Sequence, residues 1–220
     1  MEQTHITLNR TFGRRIGKTL SNTQKHLIDN YLEKYRFTEK KFTANNKYQK
    51  VILEIGFGMG EHFINQILLN PNYLFLGAEV YLNGAANVIK RALGRNLENY
   101  LIWPDDIDLM IDYLPPKSLD GVYILFPDPW HKRRYMKKRL VTSQRVKIIK
   151  DKLKHSAFFS FASDIEDYFH DVKNLLEQDS DFVIIGKDFS TPHPGYVITK
   201  YHQKAVENGR TPTFIKAVIR

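Results

Sequence analysis

The segment 126–130, with the sequence FPDPW, holds an acidic residue between two prolines, and basic residues follow it directly. The apolar run 122–125 precedes it, so the segment begins where a predicted strand ends. Proline on both sides of Asp128 restricts the backbone and lowers the conformational freedom that the carboxylate must lose when it is positioned. The pattern predicts a small reaction centre, in which an aimed carboxylate lies beside cations that can bind phosphate.

Positive charge is concentrated after this segment. The chain has 33 Lys and Arg residues against 24 Asp and Glu residues, a net charge of +9, which favours a polyanionic partner such as nucleic acid. From residue 132 to 154 the basic side chains are opposed only by Asp151, whereas a solvated helix face normally mixes its charges. We expect phosphate contacts from Arg133, Arg134, Lys137, Lys138 and Arg139, and from Arg14, Arg15 and Lys18 in an N-terminal arm.

Length and composition limit the remaining possibilities. A chain of 220 residues can form one large α/β domain with an N-terminal arm. The absence of cysteine excludes a disulfide framework, a thiolate zinc site and a cysteine nucleophile, and the histidines lack paired metal-ligand spacing, so no metal is expected. No apolar run reaches the ~18 residues of a membrane helix, and the first residues lack a secretory pattern. We expect a soluble, cytoplasmic protein without an obligate protein partner.

Strands and helices alternate after residue 50. The predicted strands are 51–55, 73–79, 100–103, 121–126, 157–162, 182–186 and 214–219, and the predicted helices are 61–69, 83–93, 107–114, 141–153 and 164–176. This alternation predicts an α/β fold with a doubly wound, mostly parallel seven-stranded sheet and helices on both faces. Residues 1–45 are interpreted as a basic arm and one helix over 21–34, and residues 46–220 as the catalytic domain.

Acidic residues follow the predicted strands. Glu54, Glu79, Asp105 or Asp106, Asp128 and Asp164 fall at or just beyond strand ends. In an open α/β sheet, ligands bind outside the carboxyl ends of the strands, near the point where strand order reverses. The sequence therefore predicts a site along this one edge.

The glycine-rich turn 56–60 indicates what that site binds. Gly56 and Gly58 let the backbone approach a ligand beside a helix N-terminus, but Glu61 occupies the position where a dinucleotide motif needs its third glycine. Glu54 would repel phosphate and attract a cationic or amino group, which favours S-adenosylmethionine. Glu79 suits the two hydroxyls of a ribose. The alternatives are a plain tight turn for the glycines and a salt-bridged strand-end acid for Glu54.

Three further carboxylates each allow two interpretations. Either Asp105 or Asp106 could accept from the adenine amino group, with a slight preference for Asp106, and the other could cap the helix that begins near residue 107. Asp128 could serve only as a turn former, because Pro-Asp-Pro suits turns. Trp130, a stacking or packing surface, and the adjoining basic residues favour the functional interpretation.

The segment 126–132, FPDPWHK, resembles the signature of the tRNA (guanine-N7)-methyltransferases, a Rossmann-like class I methyltransferase family. The blocks at 53–58, 77–80 and 199–201 resemble three further family motifs, and the similarity runs from about residue 10 to 219. The resemblance implies transfer of a methyl group from S-adenosylmethionine to N7 of a guanosine in the variable loop of tRNA.

The resemblance also assigns roles by position. It places the methyl donor against Glu54, Gly56, Gly58, Glu79, Asp105 or Asp106 and Asp128, makes Asp128 the catalytic carboxylate, and implies substrate contacts from Lys132, Asp164, Thr199, Lys200, Tyr201 and His202. The chain departs from the family at His202, where the family usually has glutamate. A histidine cannot supply the same anionic acceptor.

Other functions remain open at this stage. The same donor could serve another RNA base or a small molecule, although the basic run argues against a small molecule. A catalytically impaired RNA-binding protein is a candidate of a different class, supported by His202. A nicotinamide oxidoreductase is the weakest alternative, since the third glycine is missing.

Overall fold

The structure, a computed structural model, describes residues 19–220. The predicted arm residues Arg14, Arg15 and Lys18 lie outside this range. The strands are β1 (Lys50–Ile55), β2 (Tyr73–Ala78), β3 (Tyr100–Trp103), β4 (Leu119–Leu125), β5 (Leu153–Ser163), β6 (Phe182–Ile184) and β7 (Thr213–Ile219). The helices are α1 (Asn22–Tyr35), α2 (Glu39–Ala44), α3 (Glu61–Leu69), α4 (Leu82–Leu93), α5 (Ile107–Met110), α6 (Ser143–Lys152), α7 (Glu166–Gln178) and α8 (Lys200–Glu207), with 3-10 turns at Ile111–Tyr113 and Arg133–Lys138.

The strands form one sheet in the order β3-β2-β1-β4-β5-β7-β6. Neighbours from β3 to β5 pair in parallel, and β7 runs antiparallel between β5 and β6. This confirms the predicted mostly parallel seven-stranded sheet. Strand order reverses between β1 and β4, so the carboxyl ends of these two strands flank the crevice where such sheets bind ligands.

Helices cover both faces of the sheet. One apolar cluster includes Leu53, Leu76 and Val122, and the other includes Phe63 and Val88. Parallel strands need this double cover because both of their faces are buried, which explains why β1, β2 and β4 are nearly continuous apolar runs. The rigid central strands thereby fix the positions of the loops at the sheet edge.

The segment before residue 45 packs against the same core. The ring of Tyr35 at the end of α1 stacks on Tyr100, with ring centroids 4.6 Å apart, and the Phe37 amide donates to the Ile102 carbonyl oxygen at 2.7 Å. Leu27 of α1 joins the apolar cluster that includes α4. The division of the chain at residue 45 stays a prediction.

Some elements differ from the sequence-based expectation. The helices α2 and α8 were not predicted, because each is short and has little apolar periodicity; α8 buries only Ala205. Side-chain caps from Thr38 and Thr199 begin them. The strand β5 begins at Leu153 rather than near residue 157, directly after α6.

The expectation that the basic side chains of α6 lack acidic partners is wrong. Carboxylates from distant segments pair with two of them, Arg145 and Lys150. Arg145 is buried and donates from Nε and Nη2 to the Asp108 carboxylate at 2.8 and 2.6 Å. Lys150 contacts Asp179 and Asp181 at 2.7 and 2.8 Å. Charge counting along the sequence could not reveal these pairs, since their acids lie about 30 residues or more away.

The Arg145–Asp108 pair gives a stability prediction. We expect Arg145→Ala to lower the free energy of unfolding by about 3–5 kcal/mol, because removing one partner of a buried ion pair leaves the other charge uncompensated. Urea denaturation would measure this. The matched control is Lys147→Ala, an exposed position on the same helix, which should change the free energy by less than about 0.5 kcal/mol. Equal effects of the two substitutions would contradict the stabilising role of the pair.

Candidate active site

The glycine turn between β1 and α3 is held in a conformation that favours glycine. Gly58 has φ of 55°, and its carbonyl oxygen lies where a Cβ on Gly84 of α4 would be only 1.9 Å away. The Gly56 amide donates to the Ala78 carbonyl oxygen at 2.8 Å, and a Cβ built on Gly56 would meet nothing within 4 Å. The turn is therefore tied to β2 and α4 on one side and open on the other.

Glu79 joins this turn to the end of β2. Its carboxylate accepts from the Gly58 amide at 2.7 Å and from the Tyr81 amide at 2.9 Å, one to each oxygen. Burial raises the pKa of Glu79 to about 7, the backbone donors oppose this shift, and the charge of Asp128 adds to it. Each oxygen keeps acceptor capacity beyond its backbone bond.

Asp128 lies in an exposed turn of unusual backbone shape. Phe126 and Trp130, the residues on either side of the Pro-Asp-Pro segment, have φ of 52° and 45°. Bulky residues rarely adopt positive φ, and such conformations persist only where the surroundings enforce them. Here the Phe126 amide donates to the Ala162 carbonyl oxygen of β5 at 2.8 Å, which fixes one end of the turn.

The beginning of α8 lies over the same place. A Cβ on Gly58 would be 3.1 Å from the ring of Tyr201, so that ring covers the glycine turn. The pKa of Tyr201 is raised by burial and then by the charges of Glu79 and Asp128. Four residues predicted from different parts of the sequence, Gly58, Glu79, Asp128 and Tyr201, are thus brought together at the carboxyl edge of the sheet.

The neighbours of Tyr201 have structural partners. The Thr199 hydroxyl accepts from the His202 amide at 3.2 Å and caps α8. The His202 Nδ1 atom lies 2.9 Å from the Tyr196 hydroxyl, and its ring centroid lies 5.8 Å from that of Phe126. Burial lowers the pKa of His202. This histidine therefore connects α8 to the turn that carries Asp128, while Lys132 and Lys200 are exposed.

The other predicted acids are engaged within the fold. Glu54 is buried in β1 and contacts His62 at 2.8 Å. Asp106 is buried and caps α5 by accepting from the Asp108 amide, the role left open for one of the two aspartates. Asp105 Oδ1 accepts from the Asp106 amide at 2.8 Å, and the choice between the two as adenine contact stays a prediction. Asp164 accepts from Arg210 Nε at 2.5 Å, and its substrate contact stays a prediction.

The predicted phosphate contacts separate into two groups. Lys132, Arg133, Arg134 and Lys137 are exposed on and just before the 3-10 turn, and we call these four residues the basic surface. Beside them, Lys138 lies 4.9 Å from the ring of Trp130 and 4.8 Å from that of Tyr135.

Arg139 does not belong to this surface, which corrects the expectation from the sequence. Its guanidinium group is 3% exposed, and it donates to Asp171 at 2.6 Å, to Asp167 at 2.8 Å and to the Pro129 carbonyl oxygen at 2.9 Å. Its donors are therefore used to hold the Pro-Asp-Pro turn against α7. An RNA phosphate could not reach it without breaking these contacts.

Residues 19–220 offer neither a metal centre nor a membrane-spanning helix. Within this range, no group of three or more acidic or histidine residues has the geometry of a metal site. None of the helices in the same range is long and apolar enough to cross a membrane.

Sequence reasoning missed one part of the site. His62, two residues after the glycine turn, meets His193, with their Nε2 atoms 3.2 Å apart. The signal available in the sequence was the position of His62 in the first turn of α3, eight residues after Glu54. His193 carried no local signal, since the chain between β6 and α8 has no regular pattern.

The pKa of Glu79 leads to a prediction about stability. Its folded value of about 7 exceeds the ordinary value of 4.5, so the folded state binds more protons than the unfolded state between these pH values. We expect the free energy of unfolding of the parent protein, minus that of Glu79→Gln, to fall by up to about 3 kcal/mol as pH rises from 4.5 to 8. Urea denaturation of both proteins across this range would measure it.

The matched control for this experiment is Glu166→Gln. The side chain of Glu166 is 91% exposed, so this variant should differ from the parent protein by an amount that hardly changes with pH. A pH-independent difference for Glu79→Gln would contradict the buried, weakly acidic carboxyl group described above.

The chain was compared with known proteins. A family model described as "Putative methyltransferase" matches residues 48–215. Among solved structures, the 16S rRNA methyltransferase KamB superposes with a TM-score of 0.62 at 13% identity, covering 84% of this chain and 94% of that chain, which indicates the shared fold.

Among curated relatives, a bifunctional methyltransferase of Rickettsia conorii is 54% identical over 96% of this chain and 40% of its own length. The chain therefore spans about two-fifths of the length of such relatives. The tRNA (guanine-N(7)-)-methyltransferase of Wolbachia pipientis wMel is 31% identical over 87% of this chain and 86% of its own length, and that of Mesorhizobium japonicum is 32% identical over 94% and 93%. The chain belongs to the tRNA (guanine-N7)-methyltransferase family.

Proposed function

We propose that this chain transfers the methyl group of S-adenosylmethionine to N7 of a guanosine in the variable loop of tRNA. The observation that carries the proposal is the meeting of the glycine turn, Glu79, Asp128 and Tyr201 at one edge of the sheet. Family membership supplies the reaction class, and the closeness of these residues supports a part for each of them in it.

The glycine turn and Glu79 suit the donor. The space above Gly56 admits a ligand close to the backbone, and the Glu79 carboxylate retains lone pairs that can accept from both ribose hydroxyls. In this proposal Asp105, which follows the end of β3 by two residues, accepts from the adenine amino group. Bound S-adenosylmethionine supplies a methyl group attached to positively charged sulfur.

Asp128 suits the acceptor. Guanine N7 already offers a lone pair, so no base has to remove a proton before the methyl group is attacked. Positive charge develops on the purine during transfer, and the Asp128 carboxylate can stabilise it and orient the ring by accepting its N–H protons. The exposure of Asp128 and its electrostatic interaction with Glu79 support this role.

The basic surface suits the polyanionic substrate. The four exposed residues of the basic surface follow Asp128 closely in the sequence. They can contact phosphates while the guanine lies against Asp128. Trp130 and Tyr135, whose rings lie edge to face with centroids 6.1 Å apart, add aromatic surface beside these cations. The partner in this proposal is tRNA, and the proposed location is the cytoplasm.

Replacement of the proposed catalytic carboxylate tests the reaction. We expect Asp128→Asn to keep the fold and donor binding but to lower kcat by about 10²–10³-fold, because the developing positive charge loses its neutralising group. Methylation of tRNA with labelled donor, followed by identification of the modified nucleoside, measures both rate and product. Asp112→Asn is the matched control, since it removes an exposed carboxylate from the 3-10 turn after α5. A rate near that of the parent protein for Asp128→Asn would eliminate the assigned role.

The basic surface gives a separate prediction about salt. A plot of log K for tRNA association against log salt concentration has a negative slope. This slope should become shallower by about one unit for each of Arg133→Ala, Arg134→Ala and Lys137→Ala. Filter binding at several salt concentrations would measure it. Lys40→Ala, an exposed position on α2, should leave the slope unchanged. A triple variant with an unaltered slope would rule out phosphate contacts at this surface.

A further inference from the structure

A series of hydrogen-bonding groups connects β1, α3 and the loop before α8. Glu54 Oε2 of β1 lies 2.8 Å from His62 Nδ1 of α3, and both side chains are buried. His62 Nε2 lies 3.2 Å from His193 Nε2. His193 Nδ1 in turn lies 3.1 Å from the Pro194 carbonyl oxygen. Three consecutive contacts therefore connect the acidic end of β1 to the loop that precedes α8.

The position of His193 is fixed by α3. Asn65 Nδ2 and Gln66 Nε2 both donate to the Gly195 carbonyl oxygen at 2.8 Å. The Tyr196 amide donates to the His193 carbonyl oxygen at 3.1 Å. The loop is thus held against the helix that carries His62, and the contact between the two imidazoles is part of a built site.

The protons in these three contacts determine the net charge of the group formed by Glu54, His62 and His193. Each hydrogen bond contains one proton, and the Pro194 carbonyl oxygen can only accept, so His193 Nδ1 carries a proton. If His193 is neutral, its Nε2 accepts, and the proton of the second contact lies on His62 Nε2. The third proton lies between His62 Nδ1 and Glu54. The hydrogen-bonded group of Glu54, His62 and His193 therefore holds three protons and has no net charge. This is one proton more than an ionised glutamate with two neutral imidazoles would hold.

The surroundings agree with a neutral His193. Burial, the neighbouring His62 and the cation Lys216 of β7 lower the pKa of His193 to about 4. The other titratable groups that face the imidazoles are Tyr123 of β4 and Tyr196. Burial raises the pKa of Tyr123, and it raises that of Tyr196 to about 12, so both phenols keep their protons at neutral pH.

We infer that His62 and His193 are positioning residues for Glu54, and that these three side chains together hold one additional proton. This proton is released when a cationic methyl donor binds at the glycine turn, which begins two residues after Glu54. This inference rests on the proposed function. The released proton passes to solvent and leaves the Glu54 carboxylate ionised against a neutral His62. The single ring proton of His193 can then move from Nδ1 to Nε2, so that Nε2 donates to His62 Nε2. The bond to the Pro194 carbonyl oxygen is lost, and it is the only hydrogen bond of the three that is given up. An adjacent positive charge favours the form with the extra negative charge.

The first test concerns the protein without donor, and its outcome is independent of the proposed function. Nitrogen-detected NMR of the histidine rings at pH 7 should show protons on His62 Nε2 and His193 Nδ1. His62→Asn and His193→Gln would assign the signals by their disappearance. An unprotonated His62 Nε2 would overturn the proton count.

The second test measures protons released on donor binding. Calorimetric titration of the whole chain with S-adenosylmethionine at pH 7, in two buffers of different ionisation enthalpy, yields the number released. His62→Asn retains a donor toward Glu54 but cannot titrate, so it should release up to about one proton fewer than the parent protein. Glu79 contributes equally in both proteins and cancels in the difference. His193→Gln provides a second variant in case His62→Asn does not fold.

His170→Asn is the matched control, because its ring is 58% exposed on α7. It should release the same number of protons as the parent protein. Donor binding with equal release in all variants would overturn the inference and leave the proposed function intact. A complete absence of donor binding in the parent protein would instead contradict the proposed function.

Discussion

The contact between the Glu79 carboxylate and the Gly58 amide is the constraint on which the site depends. It ties the end of β2 to the glycine turn after β1, and the second bond to Tyr81 ties it to the start of α4. A buried carboxylate is costly unless it is hydrogen-bonded, and these two amides supply the bonds while blocking neither oxygen completely. Because the backbone alone satisfies Glu79, no other side chain has to occupy the space in front of it.

The same arrangement explains why Tyr201 can lie where it does. Its ring covers Gly58, a contact that a side chain at position 58 would obstruct. The α8 segment reaches this position through His202, whose ring packs near Phe126 and whose Nδ1 contacts Tyr196. The histidine that departs from the family pattern therefore has a structural part in this chain, because it couples α8 to the Asp128 turn.

Sequence reasoning predicted the elements and contacts that follow from regular pattern. The bounds of α3 and β3 were correct to the residue, and Glu79 and Asp128 share one edge because the carboxyl ends of parallel strands lie together. It could not predict contacts made across the fold. Arg139 was assigned to phosphate because its acids lie 28 and 32 residues away, and His193 was overlooked because 131 residues separate it from His62. Local pattern contains no information about such pairs.

Two opposite electrostatic fields meet at Asp128, and they differ in range. The buried carboxyl group of Glu79 interacts with the charge of Asp128 in a region of low effective dielectric constant, where nearby charges interact strongly and salt screens them little. The exposed cations of the basic surface act through water, where salt screens them over about 8 Å. Under the proposed function, a cationic donor and a polyanionic acceptor need fields of opposite sign within a short distance. Burial of the carboxyl group and exposure of the cations meet this requirement, because salt screens the field of the exposed cations far more than that of the buried group.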